Sequence, residues 1–377
     1  MNSPLTAVPI LRELVAIPTP SAVSNLPLLR WVAAMLEPRG WSVEWMPYAD
    51  VAGIEKANLI ARPNPSSAAE PIELAFICHT DTVPYASNWD FALVLENHEE
   101  SLHGCGACDV KGALACFLAA VSQLAATQLS PGVALILTAD EEIGCKGMER
   151  LLAATNLRIQ SAIVSEPTSL RPGIAGKGYG LARITVQGRE AHSAFPGQGI
   201  SAISVAARLI TQIEAQIEAA FAVPDTLFDP PHSTLNIGLI QGGTAKNIIP
   251  GQCTFLVEWR ALPSESPTGV LEKLRSLVEQ AQAAEPRAKI QLEALRAEPG
   301  FSPAFTGPLQ RRLSVLLPGA PIGIGFGSEA SRVARIADEV IVIGPGDMRT
   351  AHSDRECVPI AELGLWTAVL SSLIQAN

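Results

Sequence analysis

Positive charge is scarce in this chain of 377 residues: 27 lysines and arginines face 37 aspartates and glutamates, leaving a net charge of −10. Nucleic acid and anionic membranes would gain nothing electrostatically from such a surface, so neither is expected as a partner. Clustered acids can instead be offset by bound divalent metal. A second C-x-x-C to accompany Cys105 and Cys108 is also missing. One pair makes no zinc ribbon, although a redox motif stays open for it. The seven cysteines are odd in number and scattered, which suits reduced thiols in a cytoplasmic protein better than a disulfide framework. The N-terminus lacks a basic flank and carries Arg12 and Glu13 within its first apolar stretch, so no signal peptide is expected. No charge occurs from Gly112 to Ala139, but Ser130, Pro131 and Gly132 break that run and Gln123, Thr127 and Gln128 interrupt it. A buried helix followed by a buried strand explains it better than a membrane span. GIAGKGYG at Gly173 lacks the G-x-x-x-x-G-K-[ST] spacing, and GIGFGSEA at Gly323 also lacks the phosphate-binding pattern, so both read as tight turns. Internal repeats and low-complexity tracts are absent.

What is present describes a globular protein, with 48% hydrophobic and 17% charged residues. Its length exceeds the usual range of one domain, which points to two. Residues 4 to 38 read as two helices around the break IPTPS. Short strands follow at 41–45 and 58–61, with a surface turn in PNPSSAAEP. A strand at 73–78, a helix opened by Asp109, a strand at 133–137, a helix near 147–154 and a strand ending in Glu166 give an α/β unit with a mostly parallel sheet. From residue 181 the pattern changes to strand, helix, two strands, helix and strand, the order of a ferredoxin-like sandwich. The helices fall at 200–220 and 265–284. The α/β pattern resumes near residue 300, with a strand at 340–343 and a closing helix at 359–375. This places an inserted domain at 176–296 within a first domain made of 1–175 and 297–377.

Chemistry is concentrated in VALILTADEEIG, where an apolar strand runs into Asp140, Glu141 and Glu142. Open α/β sheets bind ligands at the carboxyl ends of their strands, and packed acids there repel and lose hydration unless a cation joins them. A solvated acidic loop is the plainer account. Adjacent residues on extended chain point to opposite sides, so Glu141 and Glu142 are expected to divide the work, one ligating and one handling water. Other expected strand ends carry His79, Asp81, Asp109, Glu166 and His352. Singly, Asp109 is a helix cap, His79 a core histidine and His352 a loop residue. Together, two imidazoles and several carboxylates on one sheet edge suit two zinc-like ions.

CHTDTVP, GCGACDVKG, TADEEIG, SEPT, GREAHSAFP and TAH resemble, in order and spacing, the M20 co-catalytic metallopeptidases. That family includes acetylornithine deacetylases, succinyl-diaminopimelate desuccinylases, carboxypeptidases and aminoacylases. The resemblance implies a zinc aminopeptidase-like catalytic domain carrying an inserted lid and dimerisation domain. It implies two ions, zinc or cobalt, bridged by Asp109, with His79 and Glu166 on one and Glu142 and His352 on the other. It further implies Asp81 hydrogen-bonded to the far nitrogen of His79, Glu141 as general base, and His192 as an oxyanion donor supplied by the partner of a homodimer. A small N-acyl amino acid is the expected substrate. Its carboxylate calls for a guanidinium, for which Arg260 is the candidate, while Asn247 corresponds to a substrate-binding asparagine of relatives. SEPTSLRP and GFGSEA, with Glu329, resemble the acetylornithine deacetylases most. Cys78 departs from a usual glycine, Cys105 from a longer residue, and HSDRE from the commoner His-Gln-Pro-Asp-Glu.

Overall fold

The computed structural model describes residues 6–63, 71–86, 89, 92–98, 100–218, 224–266 and 268–376. Most of the turn expected at PNPSSAAEP, residues 4 and 5 of the first helical stretch and residues 219 and 220 of the long helix lie outside that range. The chain divides into two compact units. One comprises Met1–Ile174, Pro303–Ile322 and Ser328–Asn377, the other Ala175–Ser302 and Gly323–Gly327.

The first unit opens with α1 (Ala7–Ala16) and α2 (Leu26–Leu36). Their apolar residues recur every three or four positions, so Ile10, Leu11, Leu14 and then Leu28, Val32, Leu36 are buried on one stripe of each. Strands β1 (Ser42–Ala49), β2 (Glu55–Arg62) and β3 (Ile72–His79) follow. Next come α3 (Gly112–Gln123), β4 (Val133–Thr138), α4 (Lys146–Ala154) and β5 (Ile159–Val164). After the second unit's β6 (Tyr179–Gln187), α5 (Ala202–Glu218), β7 (Thr234–Gly242), β8 (Gln252–Arg260), α6 (Gly269–Ala284) and β9 (Lys289–Glu298), the chain re-enters the first with α7 (Pro308–Leu316), β10 (Ala337–Val342) and α8 (Ile360–Ile374).

Six strands of a mixed eight-stranded sheet lie in the order β1-β2-β4-β3-β5-β10. Parallel pairing joins β4, β3, β5 and β10, whereas β1 and β2 pair antiparallel with each other and β2 with β4. The edge departs from the expected mostly parallel order because only a short turn joins β1 to β2. In that turn Asp50 Oδ1 accepts the N–H groups of Ala52 and Ile54 at 2.8 and 2.9 Å, and a parallel connection needs a crossover of a dozen residues or more. Every residue of β4 is buried, as are the ten from Gly112 to Val121 in α3. The uncharged stretch is therefore a helix packed on all sides leading to a core strand. Phe117 of α3 stacks on Phe76 at 4.7 Å between centroids and meets Trp41 edge-on at 6.0 Å. Each such ring contributes on the order of 2–3 kcal/mol by leaving water.

In the second unit, four antiparallel strands lie in the order β7-β8-β6-β9. Burial alternates along β8 and β6, so Phe255, Val257, Trp259, Ile184 and Val186 form one core with Leu209 and Ile213 of α5 and Leu274 of α6. Gly180 is required for close approach, because a Cβ there would lie 1.8 Å from the indole of Trp259. Helix α6 begins at Gly269, later than the expected 265. Among the described residues no helix is long and apolar enough to cross a membrane.

Candidate metal centre

Because β3, β4, β5 and β10 are parallel, their carboxyl ends fall on one edge, and the chain leaves each of them through a polar loop. His79 closes β3, Glu141 and Glu142 follow β4, Glu166 lies two residues past β5, and His352 sits in the loop after β10. Two groups of potential ligand atoms form there, His79 with Asp109 and Glu166, and Asp109 with Glu142 and His352, the atoms of each within 4.8 Å of one another. Asp109 belongs to both. Its Oδ1 is 3.1 Å from His79 Nε2 and its Oδ2 is 3.1 Å from His352 Nε2. Each oxygen of one buried carboxylate thus faces a different imidazole, and each imidazole has a second carboxylate of its own.

Asp109 does not cap α3. It lies in a kinked segment, Ala107–Lys111, with φ −116° and ψ 82°, and α3 starts three residues later. Glu356 holds this turn: Oε1 accepts the N–H groups of Cys108 and Asp109, each at 3.2 Å. Glu356 is buried, and its burial pushes it up to about 7. Its importance was missed in the sequence; the only signal was the final glutamate of HSDRE.

The acid triplet is divided by its neighbours. Asp140, at φ +59°, is turned inward to pair with the buried Lys56 Nζ, and accepts Tyr48 OH at 2.9 Å. A buried ion pair with both partners hydrogen-bonded is a fixed structural post, not a ligand. Asn58 grips both ends of the loop, accepting Ala139 N–H at 3.2 Å and donating to Gly147 carbonyl at 2.7 Å. Asp81 accepts the N–H groups of Glu141 and Glu142 at 3.0 and 3.2 Å and the Ser21 hydroxyl at 2.7 Å. The far nitrogen of His79 does meet Asp81, through the main-chain carbonyl and not the side chain. Nδ1 lies 2.9 Å from the Asp81 main-chain carbonyl and 3.8 Å from its carboxylate, because that carboxylate is already committed to the acid loop. Glu142 Oε1 lies 3.2 Å from His352 Nε2, whereas Glu141 Oε1 accepts Cys145 Sγ at 3.2 Å. The two neighbours do face different partners.

The electrostatics describe crowded anions. Burial, then Asp109 and Glu141, holds Glu166 well above the carboxylate range, and burial pushes Glu141 up to about 8. Burial opposes ionisation of Asp109, yet hydrogen bonds from His352 and His79 win and hold it low. The same bonds, to Asp109 and Glu142, raise His352 to about 10. A divalent cation is the group that would let all of these carboxylates ionise and both imidazoles present lone pairs. The donor set, two imidazoles with three carboxylates of which one is shared, fits a pair of zinc-like ions.

The remaining expected residues are placed as follows. Glu329 is buried in the first unit; Oε2 accepts Thr138 Oγ1 at 2.8 Å and Oε1 has no partner among the described residues. His192, Asn247 and Arg260 belong to the second unit. His192 is exposed on a two-residue strand paired with Ile248, and Ser193 N–H donates to the Asn247 carbonyl at 3.0 Å, so these two are neighbours. Arg260 is held by Glu258 at 2.9 Å and lies 4.3 Å over the Tyr179 ring. All seven cysteines are free; burial pushes the Cys105 thiol up to about 12 and Cys108 well above its ordinary value, the opposite of what a redox pair needs.

Comparison with known proteins agrees with this geometry. An acetylornithine deacetylase of Myxococcus xanthus is 40% identical over 365 residues, covering 97% of this chain and 95% of the relative. One from Yersinia pseudotuberculosis is 30% identical, covering 93% and 92%. Among solved structures, a tripeptidase from Staphylococcus aureus superposes with a TM-score of 0.78 at 20% identity, over 99% of this chain and 98% of its own, which shows a shared fold. The model of peptidase family M20/M25/M40 matches residues 75–376, and with the shared aspartate between two histidine–carboxylate groups on one sheet edge, the chain belongs to that family of dinuclear metal-dependent amide hydrolases.

Proposed function

We propose that this chain removes the acyl group from an N-acyl amino acid, with N2-acetylornithine converted to ornithine and acetate as the first candidate. The observation that carries this reading is the division of Asp109 between His79 and His352, each with its own glutamate. The near full-length 40% identity to a deacetylase of that substrate supports the choice of acyl group and amino acid.

In the proposed reaction His79, Asp109 and Glu166 hold one ion and Asp109, Glu142 and His352 the other. Bound zinc or cobalt supplies Lewis acidity toward water and the acyl oxygen. Glu141, excluded from both ligand groups, takes a proton from the attacking water while its oxygen adds to the acyl carbon. The same proton goes to the departing nitrogen as the C–N bond breaks, leaving carboxylic acid and amine in balance. Asp81 fixes the acid loop and, through its carbonyl, the ring of His79. His192 serves as oxyanion donor, with Asn247 and Arg260 on the substrate. Glu329 contributes to substrate recognition from beneath the β4 end, where its unpartnered oxygen suits a cationic side chain such as that of ornithine.

The second unit is proposed as a ferredoxin-like lid through which the chain forms a homodimer; its β-α-β-β-α-β order and the strand sequence β7-β8-β6-β9 support this. The catalytic role falls to the first unit. Seven free cysteines suit a reducing compartment, so a cytoplasmic location is proposed. The test is a panel of N-acetyl amino acids, N-succinyl-diaminopimelate and dipeptides, assayed with added zinc or cobalt. Acetylornithine is expected to give the highest kcat/KM, and chelator to abolish turnover until metal is restored. Preference for a dipeptide or the succinyl compound would overturn the substrate assignment.

A further inference from the structure

Outside the two ligand groups of the sheet edge, imidazole and carboxylate side chains also gather on a small hairpin. Strand Glu96–His98 pairs antiparallel with Ser101–His103, with Glu96 opposite His103, Asn97 opposite Leu102 and His98 opposite Ser101. Residues directly opposite share a face, and alternate residues along a strand share it too. Leu102 is buried and marks the inner face. Glu96, His98, Ser101 and His103 therefore occupy the other face together.

Their side chains converge there. The His98 and His103 rings stand edge-to-face with centroids 4.7 Å apart. Glu96 Oε2 is 2.9 Å from His98 Nε2, and His103 Nε2 is 3.0 Å from Ser101 Oγ. The hairpin is anchored on its other side, where Cys357–Pro359 pairs with Ser101–His103. Two diagonal imidazoles on a three-stranded frame, with a carboxylate in the same row, offer the donors that zinc, nickel and copper prefer over magnesium or calcium. Desolvation and the neighbouring His98 hold His103 below the ordinary imidazole range, which favours the neutral, ligating form.

We infer that Glu96, His98 and His103 form a surface site for one borderline divalent transition-metal ion, separate from the dinuclear centre. As they stand the three do not close around an ion. The His103 ring rotates from Ser101 toward His98 to bring a nitrogen inward, and Ser101 Oγ or water completes the coordination. The site has a structural consequence, since Ser101–His103 leads through residues 104–108 to Asp109, and Cys357 follows Glu356, which holds the Asp109 turn. An ion on the hairpin ties Glu96–His98 to Ser101–His103, the strand that leads into that turn, and stiffens its approach.

The test uses the complete protein with its high-affinity sites already filled with zinc, dialysed to equilibrium against micromolar zinc. The wild-type chain is expected to hold one more equivalent than the double variant His98→Ala/His103→Ala, with equal deacylation rates at limiting free zinc. Equal stoichiometry would overturn the site. Because a hairpin substitution can disturb its neighbours, nickel added to the zinc-filled wild type provides a second measurement. It should broaden the ring proton resonances of His98 and His103 before those of the exposed His232, and His98→Gln should weaken the effect at His103 at least tenfold in nickel concentration. Uniform or absent broadening counts against the proposal even if the variants misfold.

Discussion

Glu141 and Glu142 are adjacent, both acidic and both near the same imidazoles, yet only Glu142 belongs to a ligand group, while Glu141 rests against a cysteine thiol. Glu141→Ala should therefore keep both ions and lose turnover by about 10²–10⁴-fold, the scale of general acid–base assistance. Glu142→Ala should instead lose one equivalent of metal, measured by elemental analysis after dialysis; equal metal loss in the two variants would reverse their assignment. That the two glutamates would differ was legible from strand geometry, whereas which of them ligates, and how the ligands divide between two ions, came only from the resemblance to the M20 family. The supports were not legible. Lys56, Asn58 and Glu356 act through side-chain contacts to residues 81 to 89 and about 250 positions distant, and nothing in local periodicity encodes such a contact. Arg260 is a further case. Sequence offered a guanidinium at the end of a strand, and the structure shows it paired with Glu258 and stacked on Tyr179. Such an arrangement presents the fork rigidly, and a lysine cannot copy it. Both Arg260→Ala and Arg260→Lys are expected to cost about 2 kcal/mol in kcat/KM for substrates with a free carboxylate. If esters and amides of the same substrates suffer equally, Arg260 is structural.

At the scale of elements, helix α7 shows how a strand residue can start a helix. Glu339 of β10 accepts the N–H groups of Leu309 and Gln310 at 2.9 and 2.8 Å and the Ser161 hydroxyl at 3.0 Å. A buried carboxylate thus satisfies two of the orphan donors at the helix N-terminus and meets its dipole. Removing it strands three donors, so Glu339→Ala should lower unfolding free energy in urea by about 3 kcal/mol, with kcat per folded molecule unchanged. Gly307→Ala should also destabilise, since its Cβ would fall 2.1 Å from the Glu339 carboxyl carbon. A loss of turnover without loss of stability would contradict this account. Helices α1 and α2 and strands β6 and β8 were readable because their burial follows the 3.6- and 2-residue periods, and α3 and β4 because a continuous uncharged run is broken at Ser130–Gly132. Their ends were less so. Asp109 looked like a helix cap by position, but Glu356 and two histidines claim it, and α3 begins three residues later. The antiparallel edge also escaped the reading, because a short run such as β2 carries no signature of its pairing direction.

For the whole molecule, the proposed roles of His192, Asn247 and Arg260 fall on residues of the second unit, whereas the potential metal ligands all belong to the first. His192 and Asn247 sit side by side on the second unit, and His192 is exposed on its short strand. A loop histidine that merely orders its own turn would show the same hydrogen bond from Ala194 N–H to Nδ1, at 3.1 Å. In a homodimer, however, that exposed ring is available to the neighbouring chain's centre, and the two readings differ in what mixed dimers do. Glu141→Ala retains a sound His192, and His192→Ala retains a sound Glu141. If the histidine is donated in trans, a dimer of one chain of each contains one site with both residues and one with neither. If it is donated in cis, every site in the mixture lacks one of them. Random re-pairing after joint unfolding and refolding makes half of all dimers mixed, and half of their sites complete. Activity near one quarter of wild type is therefore expected, against the residual activity of either variant refolded alone. Subunit exchange is verified separately by a mass tag on one variant. A mixture that exchanges fully yet stays as inactive as its components would place His192 on its own chain's chemistry, or outside the reaction altogether.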